Sequence, residues 1–182
     1  MCNVVSHVQA SRLVSTGPRI CGAGRIGPLA CRWEGSVTML KVISVVSFLL
    51  MIAGLLGLIA THSLLSRAPV VIAAQVGAFA LMVWARVTFG LRSFHAAADP
   101  TGGGLVTTGP YRFVRHPIYT AVCLFAVAGA LAHVSLVSLG LALLVLLGAI
   151  GRMMCEELLL LQRYPEYADY AAKTKRMLPF VF

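Results

Sequence analysis

Long apolar runs separated by short polar connections dominate this chain. The run from Met39 to Thr61 carries a single charge, Lys41, and the run from Val70 to Gly90 carries only Arg86, in its last turn. A helix needs about 20 predominantly apolar residues to cross the hydrocarbon core of a bilayer. Each run therefore predicts a transmembrane helix.

The second half of the chain repeats this pattern and then changes character. Ile118–Leu131 and Val134–Met154 are largely apolar and are separated by Ala132-His133 without a charge, which predicts a helical hairpin in the membrane. The first arm is short unless it begins earlier, near Tyr111. After Gly151 the sequence becomes amphipathic, and three tyrosines recur at a spacing that places them near one helix face: Tyr164, Tyr167 and Tyr170. The pattern predicts an all-α integral membrane protein with about four transmembrane helices and a cytosolic amphipathic C-terminal helix.

The chain divides into three regions. Residues 1–38 hold four arginines, one acid and scattered Gly and Pro without apolar periodicity, which predicts a disordered or dispensable tail, with a targeting leader as the alternative. Residues 39–104 hold the first two predicted helices and the start of a polar loop with three consecutive glycines. Residues 105–182 hold the remaining helices and the candidate chemistry.

Composition agrees with a membrane protein and excludes several functions. Of the 182 residues, 59% are hydrophobic and 12% are charged, and that charged share is about half the usual one for soluble domains. The net charge is +9, but the basic residues flank apolar runs, which is typical of contact with anionic lipid headgroups, and we expect no nucleic-acid partner. The five cysteines form no C-x-x-C pair and none lies near a histidine at metal-ligand spacing, so we expect no metal.

The basic residues also predict an orientation. They concentrate before the first span, in the long connection and in the C-terminal tail, whereas Arg67 alone lies in the turn between the first two spans. Four spans place these three regions on one side, which the positive-inside rule makes cytoplasmic. Both termini and any site built from these regions are therefore expected on the cytoplasmic side.

The segment from Leu105 to Tyr119, LVTTGPYRFVRHPIY, concentrates polar side chains beside a membrane span. Polar groups are costly there, so the segment is a functional-site hypothesis. Pro117 suits the first position of a helix and places His116 at the helix N-terminus, where exposed N–H groups favour an anion. Taken singly, Arg115 and His116 are typical of interfacial anchors and Tyr119 of an aromatic belt. The density of the cluster favours a site.

A second cluster, Arg152 with Glu156 and Glu157, lies where the last apolar run ends. Arg152 and Glu156 are four apart and share a helix face. The plain interpretation is a surface ion pair, worth about 0.3–0.5 kcal/mol. Two adjacent acids point in different directions, however, so one can serve a ligand while the other faces solvent. A carboxylate suits a ligand ammonium group, and an arginine suits a ligand carboxylate.

Together these segments resemble the isoprenylcysteine carboxyl methyltransferase family, in its prokaryotic type, whose relatives include the membrane phospholipid methyltransferases. The resemblance rests on LVTTGPYRFVRHPIY, the hydrophobic hairpin, the R-x-x-x-E-E-L segment and Y-x-x-Y with a basic-Pro ending, and covers roughly Leu105 to Pro179. It implies an all-helical membrane enzyme that uses S-adenosylmethionine in a cytosol-facing pocket sealed by the C-terminal part.

The resemblance also implies roles for individual residues. Glu156 takes the cofactor's ammonium group, Arg152 fixes a substrate carboxylate, and Glu157 lies beside them as a second catalytic group. Lys173 stands where the family has an arginine, so Lys173 and the nearby Arg176 are both candidates for substrate binding. The other cofactor-binding residues that the resemblance implies are Leu105 and Val106 through their backbone, with Gly103 and Gly104 beside them, Tyr111, His116, Pro117 and Tyr119.

The expected reaction is methyl transfer to a lipophilic acceptor that enters from the bilayer. A carboxylate acceptor is already ionised at neutral pH and needs no base, so proximity and electrostatics suffice. An amine acceptor would need a base, such as Glu157 or His116. The sequence leaves the choice of acceptor and the oligomeric state open.

Two alternatives keep the same helical layout. An NADPH-dependent membrane reductase of the sterol and steroid type shares an R-H-P-x-Y-like segment but typically has Asn where Ile118 stands. A non-catalytic accessory protein would bind lipid or ligand without reaction, and the intact pair of Arg152 and Glu156 counts against it.

Overall fold

The computed structural model describes residues 28–90, 105–164 and 166–177, and these ranges are almost entirely helical. No β-strand occurs in them, and the extended pairing they contain is a parallel bridge between Val114 and Lys175. The all-α prediction is confirmed. The helices are α1 Pro28–Ala60, α2 Pro69–Phe89, α3 Pro117–Ala132, α4 Leu136–Arg163 and α5 Tyr167–Lys173, with a 3₁₀ turn at Gly109–Arg112.

Three helical segments of the described ranges are long and apolar enough to cross a membrane: Val37–Ala60, Pro69–Phe89 and Leu136–Arg163. The prediction of an integral membrane protein is confirmed. α3 is apolar but shorter. At 1.5 Å per residue it is about 24 Å long, less than the roughly 30 Å of the hydrocarbon core, so the fourth span of the prediction depends on this short helix.

The start of α1 differs from the predicted one, whereas the start of α3 agrees with the prediction from Pro117. α1 begins at Pro28 rather than Met39, so residues 28–38 of the predicted tail are helical. α3 begins at Pro117 as predicted, because a proline is pre-organised for the first helical turn, and the alternative start near Tyr111 does not occur. Residues 1–27 and the glycine-rich loop 91–104 lie outside the described residues, and the predictions made for them stay predictions.

The amphipathic segment is divided between two helices, the end of α4 and the separate C-terminal helix α5. α4 continues from Leu136 to Arg163 without a break, so both glutamates belong to it. Tyr164 is extended, with φ −121° and ψ 103°, because a residue before proline is biased away from helical geometry and Pro165 follows. Tyr164 therefore does not share a helix with Tyr167 and Tyr170, whose ring centroids lie 5.9 Å apart in α5.

The four long helices pack in the order α2, α3, α4, α1, with α4 between α1 and α3. Glycines let α1 and α4 approach closely, as is common in membrane interfaces. A Cβ atom on Gly148 would lie 2.6 Å from the Ser47 carbonyl oxygen and 2.7 Å from the Met51 nitrogen. Gly54 faces Val145 in the same interface. This contact fixes the position of α4 along the axis of α1. It thereby also fixes the position of the polar residues at the C-terminal end of α4.

At the end of the bundle away from the polar clusters, the turn between α1 and α2 is hydrogen-bonded to α2 and to the turn between α3 and α4. Gln75 Nε2 donates to the Leu64 carbonyl at 2.6 Å, and a ring nitrogen of His133 lies 2.7 Å from the Leu65 carbonyl. His62 is exposed in its turn, with φ 52°. The opposite end, where α2 ends, α3 begins and α4 ends, is the one that carries both polar clusters.

Candidate active site

The two polar clusters of the sequence meet where α3 begins and α4 ends. The Tyr119 hydroxyl, in the first turn of α3, donates to Glu156 Oε1 at 2.6 Å and accepts a hydrogen bond from Arg152 Nε at 2.7 Å. Arg152 Nε also lies 3.3 Å from Glu156 Oε1. The four-residue spacing thus brings arginine and glutamate together as predicted, and Tyr119 bridges them.

Arg152 is buried deep in the bundle, with 6% of its surface exposed. Its guanidinium carbon lies 4.7 Å from the centroid of the Phe48 ring in α1, a cation–π arrangement that is favourable when desolvated. Along α4 it lies about 24 Å from Leu136, so a hydrocarbon core of about 30 Å that begins at Leu136 would end about 6 Å beyond Arg152. No pattern in the sequence singles out Phe48, because it is one apolar residue within a long apolar helix.

Glu157 faces a different set of partners. Its Oε1 accepts a hydrogen bond from Arg115 Nε at 2.9 Å, and its Oε2 accepts one from Arg176 Nε at 3.0 Å. The adjacent acids therefore point to separate partners. A carboxylate held by two guanidinium groups is stabilised in its ionised form. This arrangement fits a structural anchor better than a proton acceptor.

His116 lies between the two glutamates. It caps the N-terminus of α3 without a side-chain capping bond and is 6% exposed. Its Nδ1 is 3.8 Å from Glu156 Oε2, and its Nε2 is 3.4 Å from Glu157 Oε1 but has no hydrogen-bond partner in the described part of the chain. Buried polar atoms without partners are rare and call for an explanation. A bound ligand would provide one.

Arg115 fastens the C-terminal segment over this cluster. Its Nη1 donates to the carbonyls of Ala171 and Thr174, each at 2.6 Å. Its backbone N–H donates to the Lys175 carbonyl at 2.8 Å, and the His116 N–H donates to the Arg176 carbonyl at 3.0 Å. Sequence reasoning treated Arg115 as a possible interfacial anchor and missed this role, because its partners lie far away in the chain.

The two predicted substrate-binding residues of this segment are placed differently. Arg176 is half-buried and reaches Glu157, whereas Lys173 is exposed in the last turn of α5. Arg176 therefore belongs to the cluster, and Lys173 lies at its outer surface.

Tyr111 lies on the α2 side of the same cluster. Its ring centroid is 5.5 Å from that of Phe89, and its carbonyl accepts a hydrogen bond from the Tyr170 hydroxyl at 2.6 Å. Burial raises the pKa of Tyr111, and the nearby charge of Glu156 raises it further. The Tyr111 hydroxyl is thus protonated at neutral pH.

The remaining predicted cofactor residues border this region. Pro117 is buried at the start of α3, and Leu105 and Val106 are half-buried in an irregular segment before the 3₁₀ turn. That turn is fixed by Gly109, which has φ 59° and packs against the Thr88 side chain of α2. Gly103 and Gly104 lie outside the described residues. Within the ranges that the structure describes, no group of three or more His, Cys, Asp or Glu could hold a metal ion.

Comparison with known proteins identifies the class. A family model described as phospholipid methyltransferase matches residues 68–167, more than half of the chain and all of the site from Tyr111 to Glu157. The chain belongs to this family and is an integral membrane methyltransferase. The match agrees with the resemblance drawn from the sequence and favours a methyltransferase over the reductase alternative. No curated protein and no solved structure matches the chain.

Proposed function

We propose that this protein transfers a methyl group from S-adenosylmethionine to a carboxylate of a lipophilic acceptor, giving a methyl ester. The observation that carries the proposal is the buried bridge from Arg152 through Tyr119 to Glu156. It holds a cation and an anion side by side near the boundary of the hydrocarbon core. Such a pair suits two ligands of opposite charge that must meet there.

The cofactor end of this site is Glu156, which would take the cofactor's ammonium group. Glu156 keeps part of its carboxylate accessible, since 24% of its side chain is exposed. The His116 ring lies beside it, with Nδ1 3.8 Å from Glu156 Oε2, and the Nε2 of the same ring has no hydrogen-bond partner in the described residues, which supports a ligand at this position. When bound, S-adenosylmethionine supplies an electrophilic methyl group. Tyr111, Tyr119, Pro117 and the backbone of Leu105 and Val106 would complete its binding site.

The acceptor end is Arg152. Three arginines, Arg115, Arg152 and Arg176, meet two glutamates in the cluster, so it carries an excess of positive charge that favours an anionic acceptor. Arg152 would orient one carboxylate oxygen and leave the other free to attack the methyl carbon. A carboxylate acceptor is already ionised and needs no general base. Glu157, which is held by two arginines, is therefore not required as a base.

The position of the site suggests how the acceptor arrives. Arg152 lies near the boundary of the hydrocarbon core, and its neighbour Phe48 belongs to a helix that spans the core. The apolar part of an acceptor could therefore stay in the bilayer while its carboxylate reaches Arg152. The basic end of the bundle, with Arg176 at the cluster and Lys173 at its surface, would face the cytoplasm.

A second candidate has support from the comparison. The matching family is described as phospholipid methyltransferase, and a phospholipid headgroup amine is a possible acceptor. An amine must lose a proton before it attacks. His116 would accept that proton through its buried Nε2, which has no hydrogen-bond partner in the described residues and lies 3.4 Å from Glu157 Oε1.

Incubation of the purified protein with methyl-labelled S-adenosylmethionine and a membrane lipid extract tests the proposal. We expect a labelled lipid whose methyl group is released as methanol by mild base, as a methyl ester requires. A base-resistant product would favour the amine acceptor, and no labelled product would count against a methyltransferase. Arg152→Lys keeps the positive charge but loses the planar guanidinium group, which can bind a carboxylate through two N–H groups. The substitution should therefore lower methyl transfer, while S-adenosylhomocysteine should still bind.

A further inference from the structure

Tyr167 has a buried hydroxyl that nothing in the described protein satisfies. Only 2% of the residue is exposed, and its Oη has no hydrogen-bond partner in the ranges that the structure covers. The same is true of just two other buried side-chain atoms in these ranges, and one of them is the His116 Nε2 of the candidate site. Buried hydroxyl groups usually find a partner, because leaving one unpaired costs free energy.

The surroundings of this hydroxyl place it at the charged cluster. Burial raises the pKa of Tyr167, and the largest charge effects on it come from Glu157, which raises it, and Arg115, which lowers it; Glu156 raises it further. Tyr167 is the first residue of α5, and Arg115 joins this helix to Glu157: its Nη1 donates to the Ala171 carbonyl and its Nε donates to Glu157 Oε1. The raised pKa keeps the Tyr167 hydroxyl protonated at neutral pH, so it can donate a hydrogen bond.

The position of Tyr167 is fixed by several contacts. Its N–H donates to the Tyr164 carbonyl at 3.0 Å, and its ring packs against that of Tyr170. Arg115 holds the end of the same short helix through the Ala171 carbonyl. The side chain is thus held in place although its polar atom is unpaired, as expected for a residue pre-organised for a ligand.

We propose that Tyr167 binds the cofactor, its hydroxyl donating a hydrogen bond to the carboxylate of the amino-acid end of S-adenosylmethionine. The inference rests on the proposed function. Glu156 would hold the ammonium group of that end, and the carboxylate is attached to the same carbon atom. It must therefore lie close to Glu156, where the excess of arginines favours an anion and the Tyr167 hydroxyl supplies a donor.

Tyr170 is a matched control because its hydroxyl has a protein partner. It donates to the Tyr111 carbonyl at 2.6 Å. Removing that hydroxyl breaks a bond within the protein, so Tyr170→Phe should lower the unfolding temperature. Tyr167→Phe removes only an unsatisfied hydroxyl and should leave the unfolding temperature of the ligand-free protein unchanged or higher.

Calorimetric titration of the full chain with S-adenosylmethionine and with its decarboxylated analogue tests the proposal. For Tyr167→Phe we expect about tenfold weaker binding of S-adenosylmethionine and unchanged binding of the decarboxylated compound, because a hydrogen bond to a charged group is lost in the first case alone. An equal loss of affinity for both ligands would overturn the proposal. Unchanged affinity for S-adenosylmethionine would also overturn it, whatever the unfolding temperature. Failure of the unaltered protein to bind either ligand would instead overturn the proposed function on which the inference rests.

Discussion

Tyr119 and Glu156 are joined by a hydrogen bond of 2.6 Å between the N-terminal turn of α3 and the end of α4. The same hydroxyl accepts a hydrogen bond from Arg152. One side chain therefore positions both the carboxylate proposed to hold the cofactor and the guanidinium proposed to hold the acceptor. Each of the two groups depends on Tyr119 for its orientation.

Tyr119→Phe should weaken cofactor binding without unfolding the protein. It removes a donor to Glu156 and an acceptor for Arg152 Nε, which keeps its 3.3 Å contact with Glu156 Oε1. Hydrogen bonds to charged groups contribute about 1.5–3 kcal/mol, so S-adenosylhomocysteine should bind about tenfold to a hundredfold more weakly in calorimetry. Unchanged affinity would show that the bridge does not position Glu156 for the ligand.

Arg115→Ala should release the C-terminal segment from the bundle. The substitution removes one arginine from buried Glu157 and two donors to the carbonyls of Ala171 and Thr174. Loss of one partner of a buried ion pair costs about 3–5 kcal/mol. Limited proteolysis should therefore cut near α5 faster than in the unaltered protein. Arg112→Ala, at an exposed position nearby, is the control and should not change the cleavage rate.

The α1–α4 interface predicts opposite effects for two glycines of one helix. A Cβ atom on Gly148 would meet the backbone of Ser47 and Met51, whereas a Cβ atom on Gly140 would meet nothing within 4 Å. Gly148→Ala should lower the unfolding temperature in detergent, since overpacking costs about 1–3 kcal/mol. Gly140→Ala should leave it unchanged or raise it, because alanine favours helix by about 1 kcal/mol. Equal effects of the two substitutions would contradict the close helix contact.

Alkaline pH should weaken the attachment of α5. Burial raises the pKa of Tyr170 to about 12, whereas a tyrosine in an unfolded chain titrates near 10. The folded state therefore favours the protonated hydroxyl, and this contribution to stability is complete below about pH 10 and is lost as the pH rises towards 12. Unfolding temperatures measured across this window should fall less steeply for Tyr170→Phe. Identical slopes for the two proteins would exclude a contribution from Tyr170.

Local patterns predicted much of this architecture. Apolar runs predicted the spanning helices, Pro117 indicated the start of α3, and the i, i+4 spacing put Arg152 beside Glu156. Pro165 is a local signal that Tyr164 leaves the helix, since a residue before proline is biased away from helical geometry. The contacts of Glu157 could not be predicted, because Arg115 lies 42 residues away in the sequence and meets it only through the packing of α3 on α4. The choice between Lys173 and Arg176 likewise depends on the turn after α5.

The most direct test of the central claim is calorimetric titration of the purified protein with S-adenosylhomocysteine and, separately, with NADPH. We expect saturable heat with S-adenosylhomocysteine and none with NADPH. Glu156→Gln, which removes the charge proposed to hold the ligand's ammonium group, should weaken binding about a hundredfold, whereas Glu166→Gln, at an exposed position, should not. Binding of NADPH alone, or unchanged affinity of the Glu156→Gln protein for S-adenosylhomocysteine, would contradict the assignment.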